Sequence, residues 1–555
     1  MRQLSGNDAR SLYSDTAHTN ANITKIQIYD QLTAPGGSLR FKTILAHIES
    51  RLARAPVFRQ KLHRVPLELD YPYWVEDENF DLEYHVRHIA LPKPGDWRQF
   101  CIQASRIHAR ALDLTRPLWE IYVIEGLDGF LDLPAGSFAL LTKVHHAAID
   151  VDGRSGITEA LHDTVAAAPT PTPGAPWFPA APPGEARMML RGLVNLATAP
   201  LRLAGPLKRA LAGIAPSAVS FAGDMLLRPE RVTATRFNSI VSAHRVFETR
   251  RFMLEEFRAI RMLVEGARVN DVVLAVCGGA LRRYLDGEHE LPAESLTAIA
   301  PYYLRGAAGG SEATRTLSWI RVRLCTDVAD PVLRLSNIAL QTSSSAIVQQ
   351  AIGARELTDI GRHTPAATLA LISKMLSRAA LGMGRHAPLA NCTISNVPGP
   401  STPLYLCGAR MTYFSAIMPI VDGMGLVFAV TSYDGRIIIS PTSCRELMPD
   451  PEHFAQCVRA SFEEYLALTR VPGKASKPAA ARRGAKAAGK SSGTKAAGKS
   501  SGTTARRVPR ARPGVKPAPA PPSGTASRRR RLGRTASTAL PAARGAQPRS
   551  TARSR

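Results

Sequence analysis

Ser137 to Gly153 reads SFALLTKVHHAAIDVDG, and this stretch decides the fold class. Phe138, Leu140 and Val144 share one face of an alternating pattern, which predicts a strand over Ser137–Val144 that delivers His145 and His146 at its C-terminal end. A helix is expected next, with Ser155 as N-cap and Ile157, Leu161 and Val165 at i, i+4 and i+8. The second half of the chain repeats the mixture. NDVVLAVCGGALRRYL (270–285) predicts a helix that Asn270 could cap, and Ile320, Val322 and Leu324 alternate with Arg321 and Arg323 as in a strand. Asp434-Gly435 between Gly425–Tyr433 and Arg436–Ser440 is a strong hairpin signal, and Phe454, Val458, Phe462 and Leu466 mark a closing helix. Both halves are α/β in character.

Working outward, the Pro/Ala run AAAPTPTPGAPWFPAAPP (166–183) holds neither helix nor central strand and reads as a linker. Ala186 to Gly223 follows without an acidic residue. It carries Arg187, Arg191, Arg202, Lys208 and Arg209 and spaces Met189, Leu193 and Leu196 helically, so it reads as a basic amphipathic connector interrupted by Pro200 and Pro206. Such a segment either packs on the protein's own surface or lies on an anionic lipid surface. The expected organisation is a domain over 1–165, linker and connector over 166–245, a second domain over 246–470, and a tail over 471–555.

The charge is unevenly placed. The chain has 555 residues and a net charge of +26, but 22 of its 71 Lys and Arg lie in 471–555, which has no Asp, Glu, Phe, Trp or Tyr. The body is therefore nearly neutral, and the tail is expected to be disordered. The tail twice matches GxxxxGK[ST], at Gly484–Ser491 and Gly493–Ser500, within a direct repeat of KAAGKSSGT. No buried strand precedes either match, so neither reads as a phosphate loop. Non-specific polyanion binding is what the tail's charge allows; without aromatics it has no platform for base stacking.

Seven scattered cysteines with no CxxC pair suggest reduced packing residues in a cytoplasmic protein and no metal site. The N-terminus has no apolar signal region, and no run approaches the ~18 apolar residues of a membrane span.

The chemistry lies in KVHHAAIDVDG (143–153). A histidine whose ordinary pKa is near neutrality can accept a proton from a hydroxyl that then attacks an activated acyl group, while a nearby carboxylate fixes the loop or ring. HHxxxD, formed by His145, His146 and Asp150, resembles the motif of the bacterial wax ester synthase/diacylglycerol acyltransferase family, within the chloramphenicol acetyltransferase-like superfamily. Further blocks resemble the family in family order: Arg2–Tyr13, LTRPLWEIYVIEGL (114–127), 270–285, SNVPGPSTPLYLCGAR (395–410) and TSYDGR (431–436). The resemblance covers about residues 1–470.

It implies two chloramphenicol acetyltransferase-like α/β domains joined by the linker, with a channel at their interface. It also implies direct transfer from acyl-CoA as co-substrate, with no cofactor, to diacylglycerol or a long-chain alcohol. His146 would be the general base, His145 its neighbour, and peripheral contact with the inner membrane or lipid bodies is expected. Asn270 stays open between helix cap and site neighbour; Asp271 is its companion candidate. Two departures stand out: HHAAIDVDGRSG carries extra residues between Asp150 and Gly153, and PYYLR (301–305) replaces the usual PVSxR. Between the two aspartates of the first departure, spacing favours Asp150 over Asp152 for the supporting role. The alternatives are a carrier-dependent condensation enzyme of the same fold, and a non-catalytic polyanion-binding lipid-granule protein.

Overall fold

The strand that ends at the histidines is the centre of a six-stranded sheet. In the computed structural model, which describes residues 2–127, 133–149, 156–166, 177–181, 183–212, 232–305, 315–348, 350–351, 388–400 and 402–470, that strand runs Phe138–His145. All eight of its residues are buried. It pairs antiparallel with Asn22–Asp30 on one side and Trp119–Glu125 on the other, placing Asn22 opposite His145 and Trp119 opposite Val144. Both faces are covered, which is why the run is apolar almost throughout. Phe138, Leu140 and Val144 pack with Ile44, Ile48 and Leu161, while Ala139 and Leu141 pack with Phe100, Ala104 and Ile107 of the helix Trp97–Ala109.

The second sheet has seven strands, with a parallel centre formed by Thr297–Arg305, Cys392–Pro398 and Val427–Tyr433. Helices Val269–Gly287, Pro331–Ser343 and Pro451–Thr469 pack in its core, contributing Leu274, Leu335 and Phe454 among others. The hairpin forms as expected, with Asp434 and Gly435 at φ of 46° and 73°, as a two-residue turn between twisted strands requires. PYYLR lies in the backbone pairing of Thr297–Arg305 with Arg315–Arg323.

Chain order and sheet order differ. Ala409–Ile417, which the sequence places in the 246–470 block, crosses to the first sheet and pairs antiparallel with Asn22–Asp30. Tyr433 OH donates to Met411 O at 2.9 Å and Thr431 Oγ1 to Phe414 O at 2.8 Å, so the crossing strand ties the sheets together. SNVPGP leads into it. A Cβ at Gly399 would stand 2.3 Å from Ser432 O and 3.0 Å from the Phe414 ring, so this close approach needs glycine.

Two local expectations are corrected. The helix after the histidines spans only Ile157–Leu161, with Gly156 as its N-cap, and Val165 is 60% exposed beyond its end. Ser155 lies outside the described residues. The connector, in turn, runs as one helix, Glu185–Ala212, through both prolines. Each proline removes one backbone bond, but the surrounding Ala, Leu, Met and Arg residues favour helix enough to carry it past. Met188 anchors it, fully buried against Val65 and Tyr73, and Asn195 Nδ2 donates to Asp70 Oδ2 at 2.5 Å. The tail lies outside the described residues. No described helix is long and apolar enough to cross a membrane.

Candidate active site

Backbone bonds pin the turn that follows the Phe138–His145 strand. His145 N–H donates to Leu118 O at 3.0 Å, His146 N–H to Ala21 O at 2.8 Å, and Ile149 N–H back to His146 O at 3.1 Å, closing one 3-10 turn over 146–148. The helix Gly6–Tyr13 packs against this turn.

The two histidines are dealt different roles by their surroundings. His145 is 1% exposed. Its Nδ1 accepts the Ala147 N–H at 3.1 Å, and a backbone N–H can only donate, so the ring proton sits on Nε2. That Nε2 donates to Asp15 Oδ2 at 3.0 Å. Both ring nitrogens are occupied, leaving no lone pair for a substrate. Asp15 also accepts the Ala21 N–H on Oδ1 at 2.9 Å. One carboxylate therefore holds the ring of His145 and the segment that receives His146's backbone N–H.

The His146 side chain is solvent-exposed, and no other described residue hydrogen-bonds its ring nitrogens. Its pKa is nevertheless lowered, first by the desolvation that surrounding protein imposes and then by the neighbouring His145, with Asp8 opposing. The neutral imidazole with a free lone pair is the form a general base needs.

Beneath the turn lies a buried polar layer. Lys143, fully buried, pairs with Glu120 at 2.8 Å and donates to the carbonyls of Ile107 and Arg110 at 3.2 Å each, so it satisfies the C-terminal end of the Trp97–Ala109 helix. Thr24 Oγ1 and His108 Nδ1 are 2.9 Å apart, and burial followed by the charges of Arg245 and Lys143 pushes the His108 pKa down to about 3.

Of the other residues expected at the site, Asp150 and Asp152 lie outside the described residues. Asn270 sits half-buried in the first turn of Val269–Gly287, where Arg268 is the N-cap. The carboxylate of Asp271 accepts the Arg268 N–H at 2.7 Å and the Thr342 hydroxyl at 2.7 Å. The first bond caps its own helix and the second ties that helix to Pro331–Ser343, and neither reaches the histidines. The sequence reading did not single out Asp15, Lys143 or Arg245. Asp15 lies 130 residues from its histidine, and only the folded chain brings the two together. Trp119 of the PLW block is structural: it is fully buried, donates to Phe58 O at 3.1 Å and stacks on His85.

A cleft of about 1710 Å³ opens between the Trp97–Ala109 helix and the Arg245–Arg251 and Arg445–Arg459 segments; the histidines are not among its lining residues. Arg245 stands at its wall and donates to His18 O at 2.6 Å, tying the second lobe to the 15–22 segment behind His145.

Comparison with known proteins agrees with this architecture. Residues 4–273 match the wax ester synthase/diacylglycerol acyltransferase catalytic domain and 316–465 the C-terminal domain of that family. The chain is 31% identical over 420 residues to an O-acyltransferase, WSD, of Acinetobacter baylyi, covering 72% of this chain and 83% of that one. A Mycobacterium tuberculosis protein provisionally named as a diacylglycerol O-acyltransferase is 30% identical over 455 residues, covering 81% and 87%. The solved wax ester synthase/diacylglycerol acyltransferase of Marinobacter aquaeolei VT8 superimposes with a TM-score of 0.58 at 24% identity, over 84% of this chain and 100% of that one, a likeness of fold.

Proposed function

The chain belongs to the wax ester synthase/diacylglycerol acyltransferase family, and from that premise we propose that it moves a long-chain acyl group from acyl-CoA to the hydroxyl of diacylglycerol or a long-chain alcohol, with His146 as general base. The observation that carries this reading is the division between the histidines: His145 has both nitrogens committed, whereas His146 is solvent-accessible with its pKa lowered.

In the proposed step His146 takes the acceptor's hydroxyl proton as the oxygen attacks the thioester carbonyl carbon. The tetrahedral intermediate then collapses, the carbon–sulfur bond breaks, and the protonated imidazole returns its proton to the departing thiolate. The ester and free CoA leave, and no covalent acyl-enzyme forms. A positioned base of this kind is worth ~10²- to 10⁴-fold in rate.

The apolar acceptor gives the exposed face of the Glu185–Ala212 helix a use. Leu190, Leu193 and Val194 are 64%, 49% and 52% exposed there, beside exposed Arg187 and Arg191, a pattern suited to peripheral attachment to anionic membrane or lipid-body surfaces.

The test is thiol release from palmitoyl-CoA with diacylglycerol, with hexadecanol and with no acceptor. Acceptor-dependent release supports the reading and ranks the acceptors. No release with either acceptor would sink it, and consumption only of carrier-bound acyl groups would favour a condensation enzyme.

A further inference from the structure

The arginine-walled cleft takes no part in the proton transfer above. We infer that it receives the phosphate-bearing nucleotide end of the thioester donor, so that the donor is gripped at a distance from the histidines; this inference rests on the acyl-CoA reading of the previous section.

The carboxylates lining the cleft are already committed. Asp96 caps the Trp97–Ala109 helix by accepting the Gln99 N–H at 2.8 Å, and Asp450 caps Pro451–Thr469 by accepting the His453 N–H at 3.0 Å. Glu446 binds His244 at 2.9 Å, and Glu248 and Glu452 flank Arg250 at 3.4 Å and 2.5 Å. Against them, Arg98, Arg106 and Arg110 come from one wall and Arg445 from the other. All four are exposed and have no carboxylate partner among the described residues.

Arg98 and Arg106 lie eight residues apart on one face of their helix, with cleft-lining Ile102 midway between them, and Arg110 follows four residues later, just past its end. Unpaired guanidinium groups converging on one concave volume raise its positive potential, and their planar donors suit phosphate oxygens. A volume of about 1710 Å³ exceeds the ~300–1,000 Å³ of ordinary ligand pockets, leaving room for a nucleotide.

The cleft also adjoins the site through a single stretch of chain. At its inner end the carbonyls of Ala109 and Arg110 accept from Asn20 at 3.1 Å and Asn22 at 3.0 Å. Those asparagines belong to the segment whose Ala21 carbonyl receives the His146 N–H and whose Asp15 holds His145. A donor with its phosphates among the arginines is thereby seated beside the segment that positions the base.

The experiment uses the full chain, as wild type and as the double variant Arg98→Ala/Arg106→Ala. Binding of adenosine 3′,5′-bisphosphate and of inorganic phosphate is followed by calorimetry. Turnover is measured with palmitoyl-CoA and with palmitoyl-N-acetylcysteamine, a thioester with no phosphate.

The double variant is expected to weaken bisphosphate binding and raise KM for palmitoyl-CoA by about tenfold or more, equivalent to about 1.4 kcal/mol, while kcat/KM for the truncated donor stays unchanged. Unaltered bisphosphate binding, equal losses with both donors, or phosphate binding as tight as the bisphosphate would each overturn the inference. Consumption of neither donor by the wild type would defeat the acyl-CoA reading instead, and the binding arm would still report on the cleft. Arg98→Lys/Arg106→Lys should recover part of the affinity.

Discussion

Replacing Asp15 by asparagine tests how the site is held. The carboxylate accepts two hydrogen bonds, from His145 Nε2 at 3.0 Å and from the Ala21 N–H at 2.9 Å. Asparagine has nearly the same shape but offers one acceptor and one donor. If its NH2 faces His145, the ring proton must move to Nδ1, where it confronts the Ala147 N–H. If its oxygen faces His145, the NH2 confronts the Ala21 N–H instead. Either way one pair of donors is opposed. A buried group left unpaired costs about 1–3 kcal/mol. His145 is 1% exposed and takes the full penalty, whereas Asp15 is 20% exposed, so water relieves part of a clash at Ala21. Because Ala21 O receives the His146 N–H, the strain passes to the proposed base, and displacement of about an ångström costs ~10²-fold in rate. Acceptor-dependent CoA release and thermal unfolding of Asp15→Asn should therefore show kcat reduced by about two orders of magnitude, KM for the donor little changed, and a lower midpoint. Wild-type kcat and midpoint together would refute the reasoning.

His146→Ala should lower kcat by ~10²- to 10⁴-fold in a folded protein, while His145→Ala should lower the unfolding midpoint more than His146→Ala does; a folded His146→Ala enzyme with normal turnover ends the general-base assignment. Burial pulls His108 down to about 3 and His162 to about 4, so the unfolded chain binds protons there that the folded one refuses. Stability from these two groups is present above pH 6.5 and falls as pH drops toward their folded values, by up to about 1.4 kcal/mol per pH unit for each. Glu248, raised to about 7 by burial, works the other way between pH 4.5 and 7 and offsets part of this loss, while His47, His85 and His146, also lowered first by burial, add to it; calorimetric midpoints rising from pH 6.5 to 5 would contradict the balance. Gly278→Ala places a Cβ 2.6 Å from Leu324 O, a backbone atom with little freedom to yield, and should destabilise by about 1–3 kcal/mol in denaturant melts. Ending the chain at Arg470 should leave specific activity intact while reducing salt-sensitive binding to DNA, and an inactive but folded product would show that the tail serves the reaction.

The sequence by itself determined what is encoded in short windows. Alternation over 137–144 specifies a strand wherever it packs, because side chains on a strand point alternately to two faces, and it carries both histidines to the strand's end. Asp434-Gly435 selects its turn through local backbone preference, and Phe454, Val458 and Phe462 recur at helical spacing and are buried together. The distinct motif blocks, in family order, likewise point to the family. The length of the helix after the histidines is not legible in the same way: Val165 continues the apolar spacing, whereas the helix itself stops at Leu161. What each histidine can do was decided by residues brought from elsewhere. The Nε2 of His145 is engaged by Asp15, 130 residues away in the chain, and the lowered pKa of His146 comes from desolvation by packed neighbours. Tertiary structure alone carried Ala409–Ile417 into the first sheet, and it alone set Arg98 and Arg106 across a cleft from Arg445. Hydrogen-bond complementarity, desolvation and charge convergence depend on distances between chain segments a hundred or more residues apart, and those distances exist only once the backbone has closed around its two large sheets.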